Sequence, residues 1–104
     1  MIRHIVLIEF RPEVTEASIA ALLSGLTAIK ALLPGCLAVA AGRSESPEAL
    51  ERGHMHGFTI DFTDWAALAT YQSHPDHQAL GAQLVAHAKG GIDGILVFDL
   101  AIDL

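Results

Sequence analysis

Ile2-Arg3-His4-Ile5-Val6-Leu7-Ile8-Glu9-Phe10 is the stretch that decides the fold. In an extended chain, successive side chains point to opposite faces. Ile2, His4, Val6, Ile8 and Phe10 then share one face, and Arg3, Ile5, Leu7 and Glu9 the other. Apolar residues stand on both. A strand of this kind needs cover on both sides, which predicts helices against one face and a partner sheet against the other.

Moving outward, Pro12 ends the strand and Thr15 caps the helix that follows. Ile19, Leu22, Leu23, Leu26, Ile29 and Leu33 recur at three- and four-residue steps, predicting one apolar stripe on a helix over 15–33. Pro34-Gly35 stops it. Residues 36–42 read as a weaker, alanine-rich strand, and RSESPEALERG at 43–53 as a polar loop. His54 to Phe62 read as a third strand, with His56, Phe58, Ile60 and Phe62 opposite Gly57, Thr59 and Asp61. Asp64 caps a short helix carrying Trp65, Leu68 and Tyr71. His74-Pro75 breaks it, and a new helix runs from about Pro75 to Ala88, ended by Gly90 and Gly91. Residues 93–102 make the last strand. The order is β-α-β-β-α-β with the second helix split, the ferredoxin-like α+β arrangement. It implies a four-stranded antiparallel sheet in the order 4-1-3-2, with the helices on one face. The other face stays apolar and open. A second copy is its simplest cover, predicting a homodimer whose two sheets form an α+β barrel.

The bulk numbers agree. The 104 residues allow one domain, 1–104. Hydrophobic residues make up 52%, more than a small monomer needs, so a ligand cavity or a buried interface is expected. A net charge of −6 and the lack of a basic stripe argue against nucleic acid and against an anionic membrane surface. Cys36 is alone, which excludes an internal disulfide and fits a reducing compartment. The first residues read as a strand rather than a signal peptide, and no apolar run approaches the roughly 20 residues of a membrane span. The cytoplasm is the expected location.

HIVLIEF at 4–10, ALLPG at 31–35, GR at 42–43, SPEALERG at 46–53, SHPDHQAL at 73–80 and VFD at 97–99 are arranged as in the stress-responsive α/β-barrel (Dabb) proteins, which this chain resembles over nearly its whole length. That resemblance implies a dimeric α+β barrel. The chain is also similar to one branch of the family, the plant polyketide cyclase olivetolic acid cyclase. This implies an aldol-type cyclisation without metal or cofactor. The acid–base residues of that branch fall on Tyr71 and His77, supported by Asp99 and His4. In that branch the first helix contributes aromatics to the pocket. Here the stripe holds Leu22, Leu23 and Leu26, and aromatics are only 6% of the chain.

Sheet topology brings part of this set together without the resemblance. With the last strand antiparallel to the first, the start of one lies beside the end of the other, so His4 neighbours Asp99. His77 falls in the first turn of its helix, where the positive helix end lowers an imidazole pKa and a neighbouring carboxylate raises it. The expectation is a His77 that exchanges protons near neutral pH, with Tyr71 donating to a developing enolate. Val6, Ile8, Leu23, Leu26, Phe58 and Leu80 are the candidate apolar walls for a small carbonyl compound. No cofactor or metal is required. His54, His56, His74 and His77 do not converge as a metal site needs. His74 is expected to serve its turn, and His87 to sit in an exposed last turn.

The bland reading makes each of these residues a satisfied structural group in a non-catalytic dimer, or in a binder of small apolar ligands. A cofactor-free monooxygenase is a third reading, and it rests on fold analogy alone.

Overall fold

The computed structural model describes residues 1–103; Leu104, the end of the expected domain, lies outside the described residues. The elements run β1 (Ile2–Ile8), α1 (Glu16–Leu32), β2 (Cys36–Arg43), β3 (His56–Phe62), α2 (Trp65–Ser73), α3 (Pro75–His87) and β4 (Ile95–Ala101). The four strands form one sheet in the order β2-β3-β1-β4, and every neighbouring pair is antiparallel. This is the ferredoxin-like topology.

The helices start where their caps dictate. The Thr15 hydroxyl accepts from the Ser18 amide, the Asp64 carboxylate from Ala67, and His74 Nδ1 from Asp76. Pro75 then occupies the first turn of α3, where a missing N–H costs nothing.

Strand alternation puts Ile2, His4, Val6 and Ile8 of β1 and His56, Phe58, Ile60 and Phe62 of β3 on the helix-facing side, all buried. Ile19, Leu23, Leu26 and Ile29 of α1, Leu68 and Tyr71 of α2 and Leu84 of α3 complete that core. On the other side of the sheet Leu7, Leu96, Phe98 and Leu100 are exposed.

Several boundaries differ from the expected ones, most by a single residue. β1 stops at Ile8, because Glu9 N–H bonds the Gly94 carbonyl and Phe10 bridges to Ala88 instead of continuing the sheet. β3 begins at His56; His54 stands in the preceding loop. There its Nδ1 meets the Arg52 carbonyl at 3.2 Å, while Nε2 is buried without a partner. α3 ends at His87 rather than Ala88. A 3-10 turn over Gly91–Gly94 delays β4 to Ile95.

Candidate functional site

β1 and β4 set the first half of the site. Their register puts His4 opposite Asp99, Val6 opposite Val97 and Ile8 opposite Ile95. Directly opposed residues share a face, so Asp99 points to the helix side with His4. His4 Nδ1 and Asp99 Oδ1 are 2.6 Å apart. The imidazole is buried, whereas the carboxylate keeps about a quarter of its surface, 24%. The pair fixes the imidazole's orientation, and with Nδ1–H donating it leaves Nε2 as the free lone pair.

The α2–α3 break sets the second half. Tyr71, in the last turn of its helix, is fully buried, and its ring packs beside both imidazoles. Its centroid lies 5.7 Å from His4 and 4.1 Å from His77. Phe62 packs on it from the sheet at 5.2 Å. Burial pushes the Tyr71 phenol well above its ordinary value, so the hydroxyl stays protonated. Burial also lowers the pKa of His77, and the neighbouring imidazoles of His4 and His74 lower it further.

Asp99 bonds His4, as strand order predicts, and is not the neighbouring carboxylate expected to raise the pKa of His77. Among the described residues no carboxylate bonds His77, so nothing counters the downward shift. The cause is geometric: β4 pairs with β1, whereas α3 lies above the sheet at a height that strand register does not control.

The six expected wall residues are also placed. Val6, Ile8, Leu23, Leu26 and Phe58 belong to the packed core, and Leu80 packs half-buried against it. Leu23 borders a cavity of about 320 Å³ between α1 and β2. Phe58 belongs to the rim of a groove of about 530 Å³ at the β2–β3 end of the sheet. His4, Tyr71, His77 and Asp99 line neither.

Sequence reasoning missed the residues that do flank the cluster. α3 starts beside Tyr71 and ends where Ala88 meets Phe10. Within it His77, Gly81 and Val85 fall on one stripe at four-residue steps. A Cβ on Gly81 would meet no atom within 4 Å. On β4, Val97 faces the helix side yet is 58% exposed, two residues from Asp99. The signal for both was present: a glycine inside a helix, and an apolar residue alternating with Asp99.

The remaining histidines serve other ends. His56 Nε2 bonds Glu16 at 2.9 Å at the far end of the same sheet face. That bond, before the smaller effect of Arg43, holds the Glu16 carboxyl below its usual range. His87 Nδ1 donates to the Gln83 carbonyl at 2.7 Å, half-buried rather than exposed. Among the described residues no three His, Cys, Asp or Glu side chains come together to hold a metal ion. No helix there is long and apolar enough to cross a membrane.

Fold and site together define a ferredoxin-like α+β protein with an imidazole–carboxylate pair and a phenol buried between sheet and helices. Residues 2–102 match the family described as Stress responsive A/B Barrel Domain, and the chain belongs to that family. It is similar to the stress-response A/B barrel domain-containing protein HS1 of Arabidopsis thaliana, with 29% identity over 98 residues, 94% of this chain and 86% of that protein. Among solved structures it is similar to a dimeric ferredoxin-like protein of unknown function from Jannaschia sp., with 36% identity, a TM-score of 0.91 and coverage of 97% and 98% of the two chains. It shares its fold with a hydroxynitrile lyase from Passiflora edulis, at 15% identity, a TM-score of 0.83 and coverage of 98% and 93%.

Proposed function

We propose that this protein is a homodimer that performs cofactor-independent proton transfer on a small, mostly apolar carbonyl compound. One observation carries the reading: the Tyr71 ring packs beside two imidazoles, with centroids 5.7 and 4.1 Å away, and one of them is held by a carboxylate.

Each group has a distinct part. His77 is half-buried and its pKa is lowered, so it is neutral near pH 7 and has a lone pair to take a proton from the carbon beside a carbonyl. Tyr71 stays protonated and donates its O–H to the oxygen on which negative charge develops. The His4–Asp99 pair is positioning: it fixes the wall against which Tyr71 packs. Val97, Ile95 and the open strip at Gly81 give the hydrocarbon part of the ligand an apolar seat beside the cluster. An enolate formed this way is the nucleophile of an aldol closure, and the reverse step is a lyase cleavage. The resemblance to the polyketide-cyclase branch implies the same class. The homodimer is supported by the exposed apolar face of the sheet and by the dimeric relative from Jannaschia sp..

The test is solvent deuterium exchange at the α-carbon of β-keto thioesters and aliphatic ketones, followed by NMR. Wild-type protein accelerates exchange for at least one compound, and His77→Gln and Tyr71→Phe abolish the acceleration. Protein that never exceeds buffer across the panel refutes the catalytic reading. A non-catalytic dimer would then stand, which the core placement of Val6, Ile8, Leu23, Leu26 and Phe58 favours. Sedimentation equilibrium tests the dimer separately.

A further inference from the structure

Between α2 and α3 stands a single residue, His74, and both helices use it. Its N–H donates to the Tyr71 carbonyl at 3.1 Å and closes the last turn of α2. Its carbonyl accepts from the Gln78 amide at 3.1 Å and opens the first turn of α3. Pro75 follows and has no N–H, so the first free amide of α3 belongs to Asp76. That amide donates to Nδ1 of the His74 side chain, again at 3.1 Å. Bonds from one residue thus tie the turn carrying Tyr71 to the turn carrying His77. The two rings they hold have centroids 4.1 Å apart.

The side-chain bond differs in kind from the caps of the other helices. The Thr15 hydroxyl and the Asp64 carboxylate cap α1 and α2 through oxygen. An oxygen acceptor keeps a lone pair in either protonation state. A ring nitrogen has one lone pair, and a proton removes it. Because Nδ1 accepts from Asp76, the neutral ring of His74 carries its hydrogen on Nε2. Imidazole is also the side chain whose charge changes between about pH 5 and 8. A charged His74 would turn an N–H toward the Asp76 N–H. It would also place a cation at the positive end of the α3 dipole. Both effects push the first turn of α3 away from the joint.

We propose that His74 is a positioning residue that works as a proton-operated latch: neutral, it holds His77 beside Tyr71, and charged, it releases the first turn of α3 and parts the two. The latch regulates the acid–base site and rests on the roles given to Tyr71 and His77 above. The other titratable groups of the cluster do not replace the lost acceptor. His4 is engaged with Asp99, Tyr71 is a buried phenol, and Cys36 at the start of β2 is a buried thiol. Asp76 stands in the same turn, where its carboxylate softens a charge on His74 yet leaves the amide unpaired. A charge on His74 also disfavours one on His77, so the two imidazoles resist charging together.

His74→Asn is the deciding variant, because asparagine is among the best N-caps and accepts through oxygen at every pH. The background is His77→Gln, which leaves His74 as the titrating imidazole of the turn. Amide hydrogen exchange is read by NMR at pH 7.5 and pH 5 and corrected for the intrinsic pH dependence of exchange. In His77→Gln protein the Asp76 and Gln78 amides lose about 5-fold or more of their protection at pH 5, as when an N-cap is removed. The β1 and β3 amides keep theirs. Adding His74→Asn preserves the protection at both pH values, and adding His74→Ala removes it at both, with circular dichroism showing each variant folded. Equal protection at the two pH values in His77→Gln protein overturns the latch. So does a loss at pH 5 that persists with His74→Asn. With His77 present, α-carbon exchange by the parent falls more steeply on the acid side than that of His74→Asn, in kcat rather than KM. Coincident pH profiles overturn the positioning role. Protein that catalyses nothing at any pH overturns the acid–base reading, while the amide titration still upholds or overturns the latch.

Discussion

His4 Nδ1 and Asp99 Oδ1 lie 2.6 Å apart, on residues directly opposed across β1 and β4. The pair joins a buried imidazole to a half-buried carboxylate at the sheet edge. Removing one partner leaves the other with its desolvation cost and no compensation. Asp99→Ala is therefore expected to destabilise the protein by about 1–3 kcal/mol. For a domain of this size that lowers Tm by roughly 4–8 °C per kcal/mol. Thermal unfolding followed by circular dichroism reads it, and an Asp99→Ala protein as stable as the parent would remove the pair from the account of the fold.

Tyr71 is the single tyrosine of the chain, so its ionisation is visible alone at 295 nm. Burial raises its folded-state pKa above the ordinary 10. The native state then holds a proton that the unfolded chain has lost, and stability falls as pH rises beyond about 10. Tyr71→Phe should remove that alkaline loss and keep the ring that packs on Phe62 and His77. Tyr71→Ala empties a core position and should cost about 3–5 kcal/mol. A tyrosine absorbance step centred at 10 in folded protein would contradict the burial.

His77 carries the opposite dependence. Burial, then His4 and His74, lower its pKa below the ordinary 6.5. Below that pH the unfolded chain binds a proton that the native site resists. Its contribution is thus present above about 6.5 and is lost as pH falls through the folded value. Urea unfolding at pH 7.5 and at pH 5 should show a larger loss for the parent than for His77→Gln. Equal losses would mean that His77 titrates as a free imidazole.

These groups were legible to different degrees for a physical reason. β1 alternates apolar residues on both faces, so its central place followed from period and burial, and strand order placed Asp99 beside His4 at once. Register is a discrete choice, and one slipped residue would turn the whole apolar face outward. The height and rotation of α3 above the sheet are continuous quantities set by packing. The carboxylate expected beside His77 was therefore not legible, although its helix and its position in the first turn were. The shape of the loop that rims the β2–β3 groove was equally opaque, because left-handed backbone at Ala49 and Arg52 leaves no compositional mark.

Gly35 offers a check on how tightly β2 is tied to α2. A Cβ there would lie 2.5 Å from Ala67 Cβ and 3.2 Å from Thr63 Oγ1, and the Gly35 carbonyl accepts from the Thr63 amide at 3.0 Å. Neither neighbour is the end of a long flexible side chain. Gly35→Ala should cost about 1–3 kcal/mol by overpacking. Urea midpoints measure it, and an unchanged midpoint would show that the α2 terminus moves freely away from β2.

Gly81 presents the reverse case, a glycine that local stability alone would not select. It sits inside α3, where glycine costs roughly 0.5–1 kcal/mol against alanine. The space around it is open, so no packing demand explains it. Gly81→Ala should raise stability by that amount, read as a higher urea midpoint. A larger side chain fills the strip between His77 and Val85. Gly81→Leu should therefore keep the fold and abolish α-carbon exchange on longer-chain ketones before it affects acetone. If both chain lengths lose exchange equally, the strip does not hold the hydrocarbon. If both keep it, the ligand approaches from another side of Tyr71.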